Sequence, residues 1–257
     1  MKNNIGFGTY RLGEKNNFDE MPDVETVDFA INSGYKVIDV AESYGDGYSE
    51  KIVGVSIKKI KRDKVIIITK VSPNNLKYSD VLRSVENSSK LLGTYIDFIL
   101  IHAPNPKIPF KETFSAMKKL KEKRIIRFYG VSNFSYEQLK EAHKFGISAV
   151  QEELNIAYPY NYKQLKFCKE NNILFFSYMP LSNGELLNEN NIHNLRPYAS
   201  KYNVPESSIA LKWVIQHGTI PIIGSQNKKH ILENTKLNFK LDKEEIKELR
   251  NKKWVTN

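Results

Sequence analysis

Short apolar runs alternate with amphipathic stretches along the whole chain, at residues 5–10, 36–40, 65–68, 96–101, 125–131, 149–150, 173–176 and 220–223. Each run is nearly unbroken by polar residues. That pattern belongs to a strand buried on both faces of a parallel sheet, rather than to the strict alternation of a half-solvated antiparallel one. Between the runs, apolar positions recur at helical spacing. The first helix is expected to open at Pro22 and Asp23, to carry Val27, Ala30 and Ile31 on one face, and to stop at Ser33 and Gly34. Further helices are expected over residues 50–60, 78–92, 110–120, 136–145, 162–171 and 207–216. Eight strand–helix units in 257 residues predict one α/β domain over residues 1–257, a (β/α)8 TIM barrel. An open doubly wound sheet would share the alternation, but no Gly-x-Gly-x-x-Gly turn follows the first strand. Residues 182–194 read as a long loop and 241–249 as an extra helix.

The residues that end these runs are polar and chemically diverse. Asp39 ends the second, Lys70 the third, His102 the fourth, Ser132 and Asn133 the fifth, and Gln151 the sixth. Ser177 and Tyr178 end the seventh, and Gly224 and Ser225 the eighth. In a parallel barrel all of these fall on the rim at the carboxyl ends of the strands, where loops build ligand sites. A single lysine there reads as a structural ion pair, and a single histidine as a hydrogen-bonded core residue. An Asp, a Lys and a His on adjacent strand ends, with Tyr44 just beyond Asp39, are harder to explain as scaffold, because each carries a desolvation cost. A phenol with an ordinary pKa near ~10 is a poor acid at neutral pH unless a cation stabilises its phenolate. Lys70 would supply that cation, Asp39 would hold Lys70, and His102 would orient a carbonyl oxygen beside Tyr44. A carbonyl so held accepts hydride. No side chain provides one, so a reduced nicotinamide is expected. A Schiff-base lyase using Lys70 is the competing reading, and it leaves Asp39 and Tyr44 unexplained. With no cysteine cluster and no closely spaced histidine pair, no metal site is expected.

Residues 34–45, GYKVIDVAESYG, followed by Val53 and Gly54, closely resemble the signature of the aldo-keto reductases, Gly-Tyr-Arg-x-Ile-Asp-Thr-Ala-x-x-Tyr-Gly. The resemblance extends from IGFGTY to the region around KHILEN. It implies that Asp39, Tyr44, Lys70 and His102 form a catalytic tetrad. It also implies that Ser132, Asn133 and Gln151 hold the nicotinamide carboxamide and that Tyr178 stacks on the ring. Gly8, Thr9 and Tyr10 of IGFGTY, together with Asn155, Pro180, Leu181 and Ser182, correspond to further positions along the cofactor. GSQNKKHILEN resembles the adenosine-phosphate site, through Gly224, Ser225, Gln226, Asn227, His230, Glu233 and Asn234. The implied cofactor is NADPH, with NADH left open. The family often has Arg where this chain has His230 and Lys where it has Gly224, so Ser225, Lys228 and Lys229 are expected to compensate. The usual His-Trp-Pro is His102, Ala103, Pro104 here, which removes a large pocket wall. A trimmed barrel is expected, without an N-terminal hairpin or a long C-terminal loop.

Composition adds few constraints. The net charge of +10 favours anionic ligands, but the lysines lie along helical stretches, as at Lys58, Lys59 and Lys61 and again at Lys118, Lys119, Lys121 and Lys123. Without aromatic interleaving they read as a solvated surface, so no nucleic-acid partner is expected. Cys168 stands alone, excluding an intramolecular disulfide. No apolar run approaches the roughly 20 residues that span a bilayer, and MKNNIGFGTY lacks a signal peptide's apolar core. The expectation is a cytoplasmic oxidoreductase, monomeric or a weak homo-oligomer, acting on a small-molecule carbonyl substrate without membrane contact. A cofactor-sensing regulatory subunit on the same scaffold is the alternative from another functional class.

Overall fold

The structure, a computed structural model, describes residues 5–12 and 20–255. Eight strands form the sheet: β1 Gly6–Gly8, β2 Val37–Asp39, β3 Ile66–Val71, β4 Ile96–Ile101, β5 Ile126–Ser132, β6 Ala149–Glu153, β7 Leu174–Tyr178 and β8 Ile220–Ile223. Neighbours in sequence are neighbours in space, every pair is parallel, and β1 closes the barrel against β8 through Gly6↔Ile222 and Phe7↔Ile223. The closed (β/α)8 barrel expected from the alternation is therefore the fold.

Helices α1 Met21–Asn32, α2 Tyr48–Ile57, α3 Tyr78–Leu92, α4 Phe110–Glu122, α5 Tyr136–His143, α6 Tyr162–Glu170 and α8 Glu206–Gln216 fall where the periodicity put them. Strand β4 shows why the runs are continuous. All six of its residues are buried, with Phe98 and Leu100 inside the barrel and Ile96, Ile99 and Ile101 in the shell between barrel and helices. The lumen is packed by Val37, Ile68, Phe98, Leu100, Ala149, Phe176, Ile220 and Ile222. It is a core rather than a channel, so ligands must bind at the rim.

The departures from the sequence reading have local causes. Gly45, Asp46 and Gly47 have φ of 58°, 50° and 87°, a left-handed run that glycine tolerates. The chain turns there, and α2 begins at Tyr48 rather than at Glu50. Strand β6 continues past Val150 through Gln151, Glu152 and Glu153, whose polarity hides it from an apolar count. The stretch 182–194 contains 3₁₀ turns at Ser182–Leu187 and Ile192–Asn194. Two unexpected helices follow, α7 Arg196–Tyr202 and α9 Lys228–Glu233. The second is short and polar, and the Asn227 side chain caps it by accepting Lys229 N–H at 2.9 Å. The extra helix is α10 Lys243–Asn251, opened by a capping box between Asp242 and Glu245. Beyond it the backbone of Val255 pairs with the Asn191 carboxamide at 2.9 and 2.8 Å, fastening this segment to the β7–α7 connection. Among the described residues no helix is long and apolar enough to cross a membrane.

Candidate active site

The strand ends converge as the parallel topology requires. Lys70, 1% exposed, reaches from β3 into the barrel mouth and donates to both carboxylate oxygens of Asp39 at 2.8 Å. The same Nζ donates to Val40 O at 3.0 Å and lies 3.2 Å from the Tyr44 hydroxyl. Asp39 also accepts Gln151 Nε2 at 2.8 Å, so β2, β3 and β6 meet at one carboxylate. Tyr44 stands between Tyr10 and His102, edge-on to both, with ring centres 5.1 and 5.9 Å away. The His102 Nδ1 is 3.4 Å from Ser43 Oγ.

From this cluster a cleft of about 1110 Å³ runs along the rim to α9. Of the residues expected at the site, Gly8, Tyr10, Asp39, Tyr44, His102, Ser132, Asn133, Gln151 and Tyr178 line it. So do Pro180, Leu181, Gly224, Ser225, Gln226, His230, Glu233 and Asn234. Lys70 lies beneath the floor, behind Tyr44 and Asp39. Four others lie outside the lining. The Thr9 side chain turns into the core, bonding Asp39 O at 2.9 Å and the Ser49 hydroxyl. Ser182 Oγ donates to Glu185 at 3.2 Å, Asn155 Nδ2 to Met179 O at 3.0 Å, and Asn227 is spent on its cap. The lysines expected to compensate at the adenosine end are not among the lining residues. Lys228 Nζ sits 5.7 Å over the Phe29 ring, and Lys229 Nζ is 3.8 Å from Glu233.

The cleft also gathers residues that the sequence reading did not single out, among them Arg11, Asn183, Gly184, Pro205 and Glu206. Arg11 had a signal, as a cation directly after a glycine-punctuated turn. Pro205 and Glu206 had none, because they open α8 deep inside the long β7–β8 connection, far in sequence from any strand end.

The aldo/keto reductase family model matches residues 4–253. The chain belongs to the aldo/keto reductase family. Among curated relatives, the 9,11-endoperoxide prostaglandin H2 reductase of Trypanosoma cruzi (strain CL Brener) is 34% identical over 95% of this chain and 86% of its own. Among solved structures, a thermostable aldo-keto reductase complexed with the inhibitor epalrestat superposes with a TM-score of 0.90 at 36% identity, covering 96% of this chain and 93% of that one. The aldo-keto reductase from Klebsiella pneumoniae in complex with NADPH gives 0.88 at 30%, covering 95% and 89%. As a member of the family, the protein is an NAD(P)H-dependent oxidoreductase.

The donor set of this aldo/keto reductase fits such a cofactor. Hydroxyl and carboxamide groups (Ser132, Asn133, Gln151) and an aromatic ring (Tyr178) stand at the end near Tyr44, suiting a nicotinamide. Hydroxyl, imidazole, carboxylate and carboxamide groups (Ser225, His230, Glu233, Asn234) stand at the other, suiting an adenosine. At Gly224 a β-carbon would stand 2.5 Å from Gly8 O, so close approach of the β1 and β8 backbones keeps any side chain out of that position.

Burial raises the Tyr44 phenol above its ordinary value, and the opposing pull of the Lys70 cation does not overcome it. Tyr44 therefore rests as the neutral acid that proton donation requires. Burial would depress Lys70, but Asp39 and Tyr44 outweigh it, and the ammonium is held charged. His102 is pushed down to about 4, by burial first and by the Lys70 charge second, so its imidazole is neutral at pH 7.

Proposed function

We propose that this enzyme reduces an aldehyde or ketone to an alcohol with NADPH, with Tyr44 as the general acid. The observation that carries the reading is the Tyr44 hydroxyl 3.2 Å from a lysine ammonium that Asp39 grips through both oxygens, at the end of a cleft fitted to a dinucleotide. The substrate carbonyl oxygen sits between the Tyr44 hydroxyl and the neutral imidazole of His102. His102 donates a hydrogen bond that polarises the carbonyl. A reduced nicotinamide held by Ser132, Asn133, Gln151 and Tyr178 would supply hydride to the carbonyl carbon. As negative charge grows on the oxygen, Tyr44 transfers its proton there, and the alcohol is complete. The phenolate left behind is stabilised by Lys70, which is already charged and fixed by Asp39, so no reorganisation accompanies the step. Incubation with aldehydes while following NADPH absorbance tests this; no consumption with any carbonyl compound would overturn it.

At the adenosine end, NADPH is expected to bind more tightly than NADH. Neither Lys228 nor Lys229 lines the cleft, whereas His230 does, and its imidazole stands where it can hydrogen-bond a ribose phosphate. His230→Ala should abolish the difference, measured by titrating both dinucleotides against protein fluorescence. Equal affinity in the parent enzyme would remove the assignment. Activity is also expected to survive exhaustive dialysis against a chelator. Asp39 is committed to Lys70 and Gln151, and among the described residues no three His, Cys, Asp or Glu side chains stand together. Turnover lost on dialysis and restored by a divalent cation would contradict the acid–base assignment.

A further inference from the structure

The corner where β5 leaves the barrel is held in an unusual conformation from behind the site. Asn133 has φ of 60°, the left-handed region that β-carbons disfavour. Its side chain nonetheless links three strand ends. Nδ2 donates to His102 O at 2.8 Å, and Oδ1 accepts the Tyr178 hydroxyl at 2.7 Å. The bonds that fix the backbone itself come from the helix side of the sheet. Glu152, adjacent to Gln151 on β6 and therefore facing the opposite way, is 4% exposed and absent from the cleft lining. Its carboxyl accepts Phe134 N–H at 2.8 Å and takes the Asn133 amide as well. From α6, Gln164 Nε2 donates to Phe134 O at 3.1 Å, and Ser135 then opens α5 with a capping box.

A carboxyl in this environment is costly to bury. Burial pushes its titration up to about 8, with the two amides pulling the other way. The groups that face it are the Cys168 thiol of α6 and the Tyr178 phenol of β7, both raised by burial first and by this carboxyl second. An apolar side chain would pack there without that cost, but it would leave two backbone amides without an acceptor at a corner where the chain is left-handed.

We infer that Glu152 is the positioning residue of the nicotinamide clamp: by accepting the Asn133 and Phe134 amides it fixes the left-handed corner, and with it the direction of the Asn133 carboxamide and the Ser132 hydroxyl. The inference rests on the proposed reading of Ser132 and Asn133 as nicotinamide contacts. Glu152 touches neither cofactor nor substrate and acts through the backbone alone.

The test compares the affinity of Glu152→Leu, Glu152→Gln and Asn133→Ala for NADPH and for 2′-phospho-ADP-ribose, which lacks the nicotinamide. Glu152→Leu should weaken NADPH about tenfold, the loss expected when buried donors go unpaired, with the fragment's affinity unchanged. Glu152→Gln keeps one acceptor oxygen and should lose only about threefold, again for NADPH alone. If Glu152→Leu does not fold, Glu152→Gln decides alone: a loss selective for NADPH supports the inference, and unchanged affinity overturns it. A Gln variant as weak as the Leu variant would show that the acceptor is not what matters. Equal weakening of both ligands would assign Glu152 to the general fold and overturn the inference. If Asn133→Ala weakens NADPH and Glu152→Leu does not, the positioning role fails. If Asn133→Ala leaves NADPH binding intact, it is the nicotinamide reading itself that fails.

Discussion

Tyr44→Phe is expected to lower carbonyl reduction by about 10² to 10⁴ while leaving NADPH affinity within a few-fold of the parent. The substitution removes one hydroxyl, and the ring keeps its edge contacts with Tyr10 and His102. The reaction loses the proton that must meet the developing alkoxide. His102 cannot replace it, because an imidazole pushed down to about 4 is neutral at working pH and donates a hydrogen bond rather than a full proton. Cofactor binding is spared because Ser132, Asn133, Gln151, Tyr178 and the β8–α9 segment come from other strands. Steady-state aldehyde reduction and NADPH titration on the same variant decide the matter. Turnover within a few-fold of the parent would remove Tyr44 from the reaction.

A second large effect is expected at Asp39. Asp39 is 4% exposed, opening only onto the cleft, and its ion pair with Lys70 is almost wholly buried. Asp39→Ala strands the ammonium with only Val40 O, Tyr44 and whatever water the hole admits. Removing one partner of a buried pair typically costs about 3–5 kcal/mol, far more than an exposed pair contributes. In a domain of this size that is a fall of roughly 10 °C in melting temperature. Activity should fall as well, since Lys70 is then driven towards its neutral form and no longer stabilises a phenolate. The double variant Asp39→Ala with Lys70→Met separates the two effects. It should regain most of the stability, because no unpaired charge remains, and none of the turnover. Calorimetry showing the single variant as stable as the parent would mean that water, not protein, solvates Lys70.

Much of this site is legible in the sequence, for a physical reason. A parallel barrel makes its strands apolar and puts their polar ends on one rim, so Asp39, Lys70, His102 and Gln151 announced themselves by interrupting hydrophobic runs. What stayed hidden depended on depth or on closure. Lys70 was identifiable as the neighbour of Tyr44, but the direction of the phenol's shift depends on how deeply both are buried, which spacing does not encode. Thr9 lies beside two glycines that approach the cleft, yet a strand alternates its faces and sends that side chain inward. Glu152 and Glu153 look like the end of a strand by polarity, when β6 in fact continues through them. The short α9 was obscured because it buries only Ile231 and is opened by the Asn227 cap, too little for an apolar periodicity to register.

The seam between β1 and β8 has a kinetic consequence. During synthesis β1 emerges first and β8 nearly last, so Gly6 and Phe7 must wait for Ile222 and Ile223 before their hydrogen bonds can form. Contacts so distant in sequence form late, and parallel pairings are slow to nucleate. The cleft crosses this seam, with Gly8 and Tyr10 on one bank and Gly224, Ser225 and Gln226 on the other. A dinucleotide bound there spans the last joint to close. It would stabilise the closed seam by the mass action that any ligand specific for the folded state provides. Depletion of the cofactor pool would withdraw that stabilisation from a seam that joins the two ends of the chain.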